Sequence, residues 1–344
     1  MADTQSKSTE FLQTFTEAKS ILILTHNNPD PDTLASAFGL RYLLKEKAGI
    51  KSVIGYSGSI GRAENKAMVR LLRINPILLH KLKSRKFDAL ILCDTQPWSK
   101  NHDLIPHLQP KAVLDHHLYK KHPRFNGYLD IRPDYGATST IVTEYLQEAE
   151  LPIDAYVATA LYLGVKTDIG DLARHKNDAD LKAARFLFPK ISMRWLYRIE
   201  NPRLPQEYFV VFNEAMKSAR VYRNAVITYI RQIPHAEYVA ELADLMLKLK
   251  GMRWSFCLGC MEEDLVFSIR TIIKGIRAGQ IAYLIAESKG GSGGGHNMSA
   301  AGRIPIAGLP EDKRLQICDQ ITSKFLSKIG LDPESGKLLI GEAE

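Results

Sequence analysis

The chain of 344 residues has no apolar stretch that reaches the roughly 18 residues a membrane-spanning helix needs. Its first ten residues are polar and hold no apolar core of a secretory leader, so a cytoplasmic protein with no membrane partner is expected. Cysteine is scarce. Cys93, Cys257, Cys260 and Cys318 are the whole supply, too few for a disulfide framework, and a reducing compartment fits them. Cys257 and Cys260 form one CxxC without a second pair, so no four-thiolate zinc site follows. In a strand, positions i and i+3 face opposite sides, and the two read as structural. No internal repeat is visible. The one low-complexity patch, residues 290–295, is not followed by Gly-Lys-Ser/Thr and is no P-loop.

What is present is an ordinary globular composition, 45% hydrophobic and 24% charged. The length suggests two domains. The net charge of +8 favours anionic partners and is unevenly spread: residues 51–90 hold nine Lys or Arg against Glu64 and Asp88. A solvated helix face accounts for such a run. A collar that draws phosphorylated substrates towards a site, around Lys81, Lys83 and Arg85, is the functional alternative.

Short apolar runs at residues 21–24, 89–93 and 112–114 read as buried strands of a parallel sheet, joined by a strand over 53–56. Helical spacing is expected in a short helix within 1–20, then over 33–44, 66–79 (interrupted by Pro76), 137–148 and 153–166. This alternation describes a doubly wound α/β domain over 1–187. Residues 188–210, with Pro189, Pro202 and Pro205, read as a connector. Strands over 226–231, 254–261, 265–270 and 281–286, with helices over 236–250 and 311–329, predict a smaller mixed-sheet α/β domain in 211–344.

The apolar runs end in chemistry. His26, Asp30 and Asp32 follow the first, Asp94 the second, and Asp115-His116-His117 the third. Open α/β sheets bind ligands just beyond the carboxyl ends of their strands, so the three groups converge on one rim. Each alone has a plain reading. Asx residues and prolines are common in turns and caps, a histidine pair is common on a surface, and so is a carboxylate such as Asp168 after a helix. Together, imidazole and carboxylate suit Mn²⁺, with Mg²⁺ or Co²⁺ as alternatives. Six ligands hold two ions if one carboxylate bridges. The economical division puts His26 and Asp30 on one ion, Asp32, His116 and Asp168 on the other, and Asp94 between them. A two-metal site activates water and neutralises a phosphoryl group, and a hydroxide bridging the ions would attack phosphorus in line.

These residues resemble the motifs of the DHH-family phosphoesterases that carry a DHH-associated C-terminal domain. The first motif is matched by His26, Asp30 and Asp32, the second by Asp94 in Cys93-Asp94-Thr95, the third by Asp115-His116-His117 and the fourth by Asp168. The glycine-rich signature of the C-terminal domain is matched by residues 293–302. The resemblance implies the same ligand division, with His117 on substrate phosphate and Asp115 orienting a histidine from outside the coordination sphere, so that Asp94, His117 and Asp115 carry the catalysis. It also implies substrate contacts from Ser139 at a helix start, and from Arg270, His296 and the glycines Gly294 and Gly295 on a terminal phosphate. Pro31, Ala35-Ser36 and Ile169 depart from the commoner family residues, which touches fine specificity and removes no ligand. The other histidines, His80, His102, His107, His122, His175 and His235, read as surface.

The expectation is a two-Mn²⁺ phosphohydrolase whose substrate, short RNA or a phosphorylated nucleotide, lies between the two domains. Short oligoribonucleotides would be cut to mononucleotides, or 3′-phosphoadenosine 5′-phosphate would lose its 3′-phosphate, or both. A cyclic or linear dinucleotide phosphodiesterase, a single-strand DNA exonuclease and a non-hydrolysing nucleotide sensor are the alternatives. Inorganic pyrophosphatases of this kind lack the glycine-rich signature. A homodimer is an open assembly state.

Overall fold

In a computed structural model of the full chain, residues 6–99, 101–118, 125–170, 177–295 and 297–341 are described. The chain divides into two compact units, Met1–Pro202 and Arg203–Glu344.

The first unit runs α1 (Lys7–Gln13), β1 (Ser20–Leu24), α2 (Pro31–Ala48), β2 (Lys51–Tyr56), α3 (Ala63–Leu71), β3 (Ile77–Leu78), β4 (Ala89–Cys93), β5 (Pro110–Asp115), β6 (Tyr128–Ile131), α4 (Thr138–Glu148), α5 (Ala155–Asp168), α6 (Asp178–Leu187) and α7 (Met193–Glu200). Its six strands lie in the order β3-β2-β1-β4-β5-β6 and all pair in parallel. The doubly wound parallel sheet read from the sequence is therefore present. β1 sits between β2 and β4, where the chain reverses its direction across the sheet, and such a switch point opens a crevice at the strand ends.

The strands are continuous apolar runs because both faces are covered. Ile21 and Ile23 join α1, α2, α4 and α5 in the larger core, while Leu22 and Leu24 pack with Leu79, Leu82, Leu90 and Leu92 on the other face. Each fully buried Leu or Ile side chain contributes about 1.5–3 kcal/mol. α2 starts on an Asp30 N-cap, whose carboxylate accepts the Thr33 N–H, with Pro31 in the first turn; it ends on Gly49 at φ 64.

Three local readings differ from the structure. The helix expected over 66–79 stops at Leu71, since left-handed backbone at Arg73 and Asn75 and the ring of Pro76 end it; β3 and a 3-10 turn (Leu79–Leu82) follow. β6 went unread because Tyr128-Leu129-Asp130-Ile131 is short and carries a charge. Residues 188–210, expected to connect the domains, contain a 3-10 turn, α7, whose Leu196 and Ile199 are buried in the first unit's core, and the start of a further helix at Gln206.

The second unit runs α8 (Gln206–Ser218), β7 (Arg220–Tyr222), β8 (Ala225–Ile230), α9 (Glu237–Met246), β9 (Trp254–Cys260), β10 (Asp264–Thr271), α10 (Ala278–Glu287), β11 (Ser292–Gly295), β12 (Ser299–Pro305), α11 (Glu311–Lys328) and β13 (Lys337–Leu338). Its sheet order is β11-β12-β10-β9-β8-β7-β13; β8 and β9 are parallel and the other pairs antiparallel, a mixed sheet as expected. α10 and α11 cover one face, α8 and α9 the other. Cys260 belongs to the first of these cores and Cys257 to the second, on opposite faces of β9.

Residues 281–286 are not a strand but the middle of α10. Ala278, Ala282, Ile285 and Ala286 are buried at helical spacing while Tyr283 is half exposed. The glycine patch contains β11, paired antiparallel to β12. A Cβ on Gly293 would lie 2.5 Å from the Ala282 carbonyl oxygen of α10, so glycine here lets helix and strand approach closely.

Candidate metal centre

β1, β4 and β5 are neighbours, and the residues that follow them meet at their carboxyl ends. His26 comes just past β1, with Nδ1 2.9 Å from the Asn27 carbonyl oxygen. A carbonyl only accepts, so Nδ1 carries the proton and Nε2 is left for the carboxylates. That Nε2 lies 3.8 Å from Asp30 Oδ2 and 3.6 Å from Asp94 Oδ2. His116 repeats the arrangement. Its Nδ1 is 3.3 Å from the Tyr135 carbonyl oxygen, and its Nε2 is 3.9, 3.6 and 3.2 Å from Asp32 Oδ2, Asp94 Oδ1 and Asp168 Oδ2.

Asp94 is therefore shared, one oxygen towards each histidine. Its backbone is left-handed, φ 59, which is strained for a non-glycine residue and concentrates at functional positions. Donor atoms of His26, Asp30 and Asp94 lie within 4.8 Å of one another; so do those of Asp32, His116 and Asp168, and those of Asp94, His116 and His117. Asp32 and Asp94 are buried, and Asp30 and Asp168 are the more exposed members, with 46% and 32% of their side chains accessible.

The charges are crowded. Burial, then the carboxylates of Asp94, Asp168 and Asp30, push the Asp32 carboxyl well above its ordinary value. Burial also works against ionised Asp94, but the His26 hydrogen bond and the charges of His117, His116 and His26 hold it below the usual carboxylate range. Among the described residues, the ion-pair partners of Asp32 and Asp94 are all histidines. Anions packed this way are relieved by a divalent cation, and carboxylate oxygen with imidazole nitrogen fits a Mn²⁺-like ion.

A second ring of groups orients the first, and the sequence reading missed most of it. Thr138 Oγ1 donates to Asp94 Oδ1 at 2.7 Å, and Thr33 Oγ1 donates to the other oxygen. Asp115 Oδ1 accepts the backbone N–H groups of His116 and His117 and lies 2.8 Å from His117 Nδ1; its Oδ2 accepts Gln96 Nε2 at 2.6 Å. Burial lowers the affinity of His117 for a proton, but Asp115 and the charge of Asp94 prevail and raise its pKa to about 10.

Ser139, expected near substrate, is fully buried. Its N–H and that of Thr138, at the start of α4, donate to the two oxygens of Asp32 at 2.8 and 2.7 Å. The helix terminus thus holds a protein carboxylate where a substrate phosphate was expected. In the second unit, Arg270 on β10 is pinned by Asp244 Oδ1 at 2.6 Å and Ser268 Oγ at 2.6 Å, and pairs in register with Ser299 of the glycine hairpin. Gly294 and Gly295 are exposed on β11, and His296 lies outside the described residues. His102, read as surface, is half-buried and hydrogen-bonded to Thr95.

Comparison with known proteins follows the same division. The DHH family, N-terminal domain, matches residues 20–165, and the DHHA1 domain matches residues 223–324. Asp168 lies just past the first match. An uncharacterised protein of Methanocaldococcus jannaschii is 32% identical over 320 residues, covering 91% of this chain and 65% of that protein. A probable manganese-dependent inorganic pyrophosphatase of Streptococcus pyogenes is 24% identical over 149 residues, 43% of this chain and 48% of that one. The chain thus spans only part of the length of these relatives. An exopolyphosphatase-related protein from Bacteroides fragilis shares the fold, with a TM-score of 0.70 at 17% identity over 95% of this chain and 100% of the other. With both domains matched in order along its length, the chain belongs to the DHH family, as a DHH N-terminal domain followed by a DHHA1 domain.

Proposed function

We propose that this protein is a dinuclear-metal phosphohydrolase that cuts short oligoribonucleotides to mononucleotides and removes the 3′-phosphate of 3′-phosphoadenosine 5′-phosphate. The observation that carries the reading is the Asp94 carboxylate, with one oxygen 3.6 Å from His26 Nε2 and the other 3.6 Å from His116 Nε2. His26 and Asp30 would hold one ion, Asp32, His116 and Asp168 the other, with Asp94 between. Bound Mn²⁺ supplies a water of lowered pKa and neutralises charge on the phosphoryl group. Manganese is favoured by the mixed donor set and by the manganese dependence in the name of the streptococcal relative.

The chain's own groups do the rest. Nδ1–H of His117 donates to Asp115, which fixes the ring and keeps it protonated, so Nε2–H is available to a phosphate oxygen or a departing oxygen. Arg270, held by Asp244 and Ser268, suits a terminal phosphate.

The test is Mn²⁺-dependent product release from 5′-phosphorylated di- to pentaribonucleotides, 3′-phosphoadenosine 5′-phosphate, a cyclic dinucleotide and pyrophosphate, with Asp94→Ala as blank. Mononucleotides from the short RNAs and AMP from the bisphosphate are expected. Turnover confined to the cyclic dinucleotide or pyrophosphate would replace the reading. Nucleotide binding without turnover would make the protein a sensor.

A further inference from the structure

The phosphohydrolase reading leaves a cavity of about 780 Å³ in the first unit without a role. Two parts of its wall are hydrogen-bonded to segments that carry residues of the metal cluster. On one side stand Ser57 and Gly58, beyond the end of β2. Asn28 N–H donates to the Ser57 carbonyl at 2.9 Å, and Asn28 Oδ1 accepts the Ser59 N–H at 2.9 Å. Gly58 has φ +78, and a Cβ there would fall 2.3 Å from Asn28 Oδ1. This wall is locked to the loop that carries His26 and Asp30.

His102, another lining residue, is tied to Thr95, the neighbour of Asp94 in sequence. Thr95 Oγ1 donates to Asn101 Oδ1 at 2.7 Å, and the same oxygen is 3.1 Å from His102 Nδ1. A hydroxyl has one proton. With that proton on Asn101, His102 Nδ1 must be the donor, which leaves Nε2 as an acceptor in the neutral ring. Burial lowers the His102 pKa and favours that neutral form. Leu78 and Leu104 line the cavity with apolar surface, and His80 and Lys83 stand exposed at its rim.

We propose that this cavity is a nucleotide subsite beside the metal centre. It takes the nucleoside monophosphate unit next to the reacting phosphate, with the base against Leu78 and Leu104, a donor group of the nucleoside on His102, and a phosphate beside Lys83. The assignment rests on the phosphohydrolase reading for what the bound unit is part of, but not for binding itself. A bare polyanion is disfavoured, because Asp103 shares the rim and His102 presents a lone pair. A wholly apolar ligand would desolvate His80 and Lys83 without pairing them.

The test is calorimetric titration of the full chain with AMP, adenosine and inorganic phosphate under chelator, which separates this binding from the metals. The parent, Lys83→Ala and Leu104→Asp are compared; both positions are exposed, so folding is not at stake. AMP is expected to bind the parent and to weaken about tenfold in each variant. Adenosine should weaken in Leu104→Asp and not in Lys83→Ala, and phosphate alone should bind far more weakly than AMP. No AMP binding by the parent, or equal binding by all three proteins, would overturn the subsite. Binding that follows the variants while the substrate panel stays silent would keep the subsite and remove the phosphohydrolase reading. Turnover with equal AMP binding in all three would do the reverse.

Discussion

Thr138 donates its hydroxyl proton to Asp94 Oδ1 at 2.7 Å, across 44 residues of sequence. The same residue's N–H donates to Asp32. One threonine at the start of α4 therefore orients two carboxylates of the cluster, one through its side chain and one through its backbone. Replacing the hydroxyl leaves the backbone bond intact and removes one of the two threonine hydrogen bonds that orient Asp94, leaving that of Thr33. Thr138→Val is expected to lower Mn²⁺ affinity about 10–100-fold, measured by titration calorimetry, while the fold loses only about 1 kcal/mol. Unchanged affinity would remove Thr138 from the site.

Asp94→Asn separates charge from shape. In the metal-free protein it relieves Asp32 of one crowding carboxylate, but it also removes the charge that His26, His116 and His117 hold ionised, and the depressed Asp94 pKa shows that the second effect is the larger. The metal-free Tm is therefore expected to fall, and the rise in Tm on adding Mn²⁺ to disappear, so that the loss is greater with the ion present. A scan with and without the ion decides it. An equal fall in both conditions would make Asp94 a structural residue first.

How far the site could be read in advance follows from the strands. Both faces of the first sheet are covered, so β1, β4 and β5 appear in the sequence as unbroken apolar runs, and His26, Asp94 and Asp115 stand out where those runs end. Thr33, Gln96 and Thr138 carry no such mark. They become informative only when pairing brings them to a carboxylate from a distant segment, 61 residues away for Thr33 and Asp94. A threonine at a helix start was a usable signal at 138, but it reads equally well as a cap. The same limit explains α10. Six apolar-rich residues fit either period, and the decision lay in Ala278, whose helical spacing with Ala282, Ile285 and Ala286 shows only over the longer window.

The glycines of the second unit divide by function. A Cβ on Gly302 would sit 2.2 Å from the ring of the buried Phe267, whereas one on Gly294 would meet nothing within 4 Å. Gly302→Ala is expected to cost about 1–3 kcal/mol in denaturant unfolding. Gly294→Ala should stay within about 0.5 kcal/mol of the parent. If Gly294→Ala nevertheless raises KM for short RNA, glycine is required there by the substrate and not by the fold. An equal loss of stability in both variants would defeat this division.

Asp88 gives a pH dependence whose sign can be worked out. Its Oδ2 accepts the backbone N–H groups of Lys19 at 2.8 Å and Ser20 at 2.9 Å, at the edge of β1. These two hydrogen bonds lower the carboxyl pKa from its ordinary 3.8. A depressed folded-state pKa means that the folded protein binds the proton less readily than the unfolded chain. The stabilisation is then fully present above the unfolded value and is lost as pH falls through the folded one. Asp88→Ala should therefore melt below the parent by a constant margin above about pH 5, and the margin should shrink steadily towards about pH 2. Thermal melts of both proteins across that range are the measurement. A margin that does not shrink would show that Asp88 acts through packing, and that its charge contributes nothing to holding the start of β1 in place.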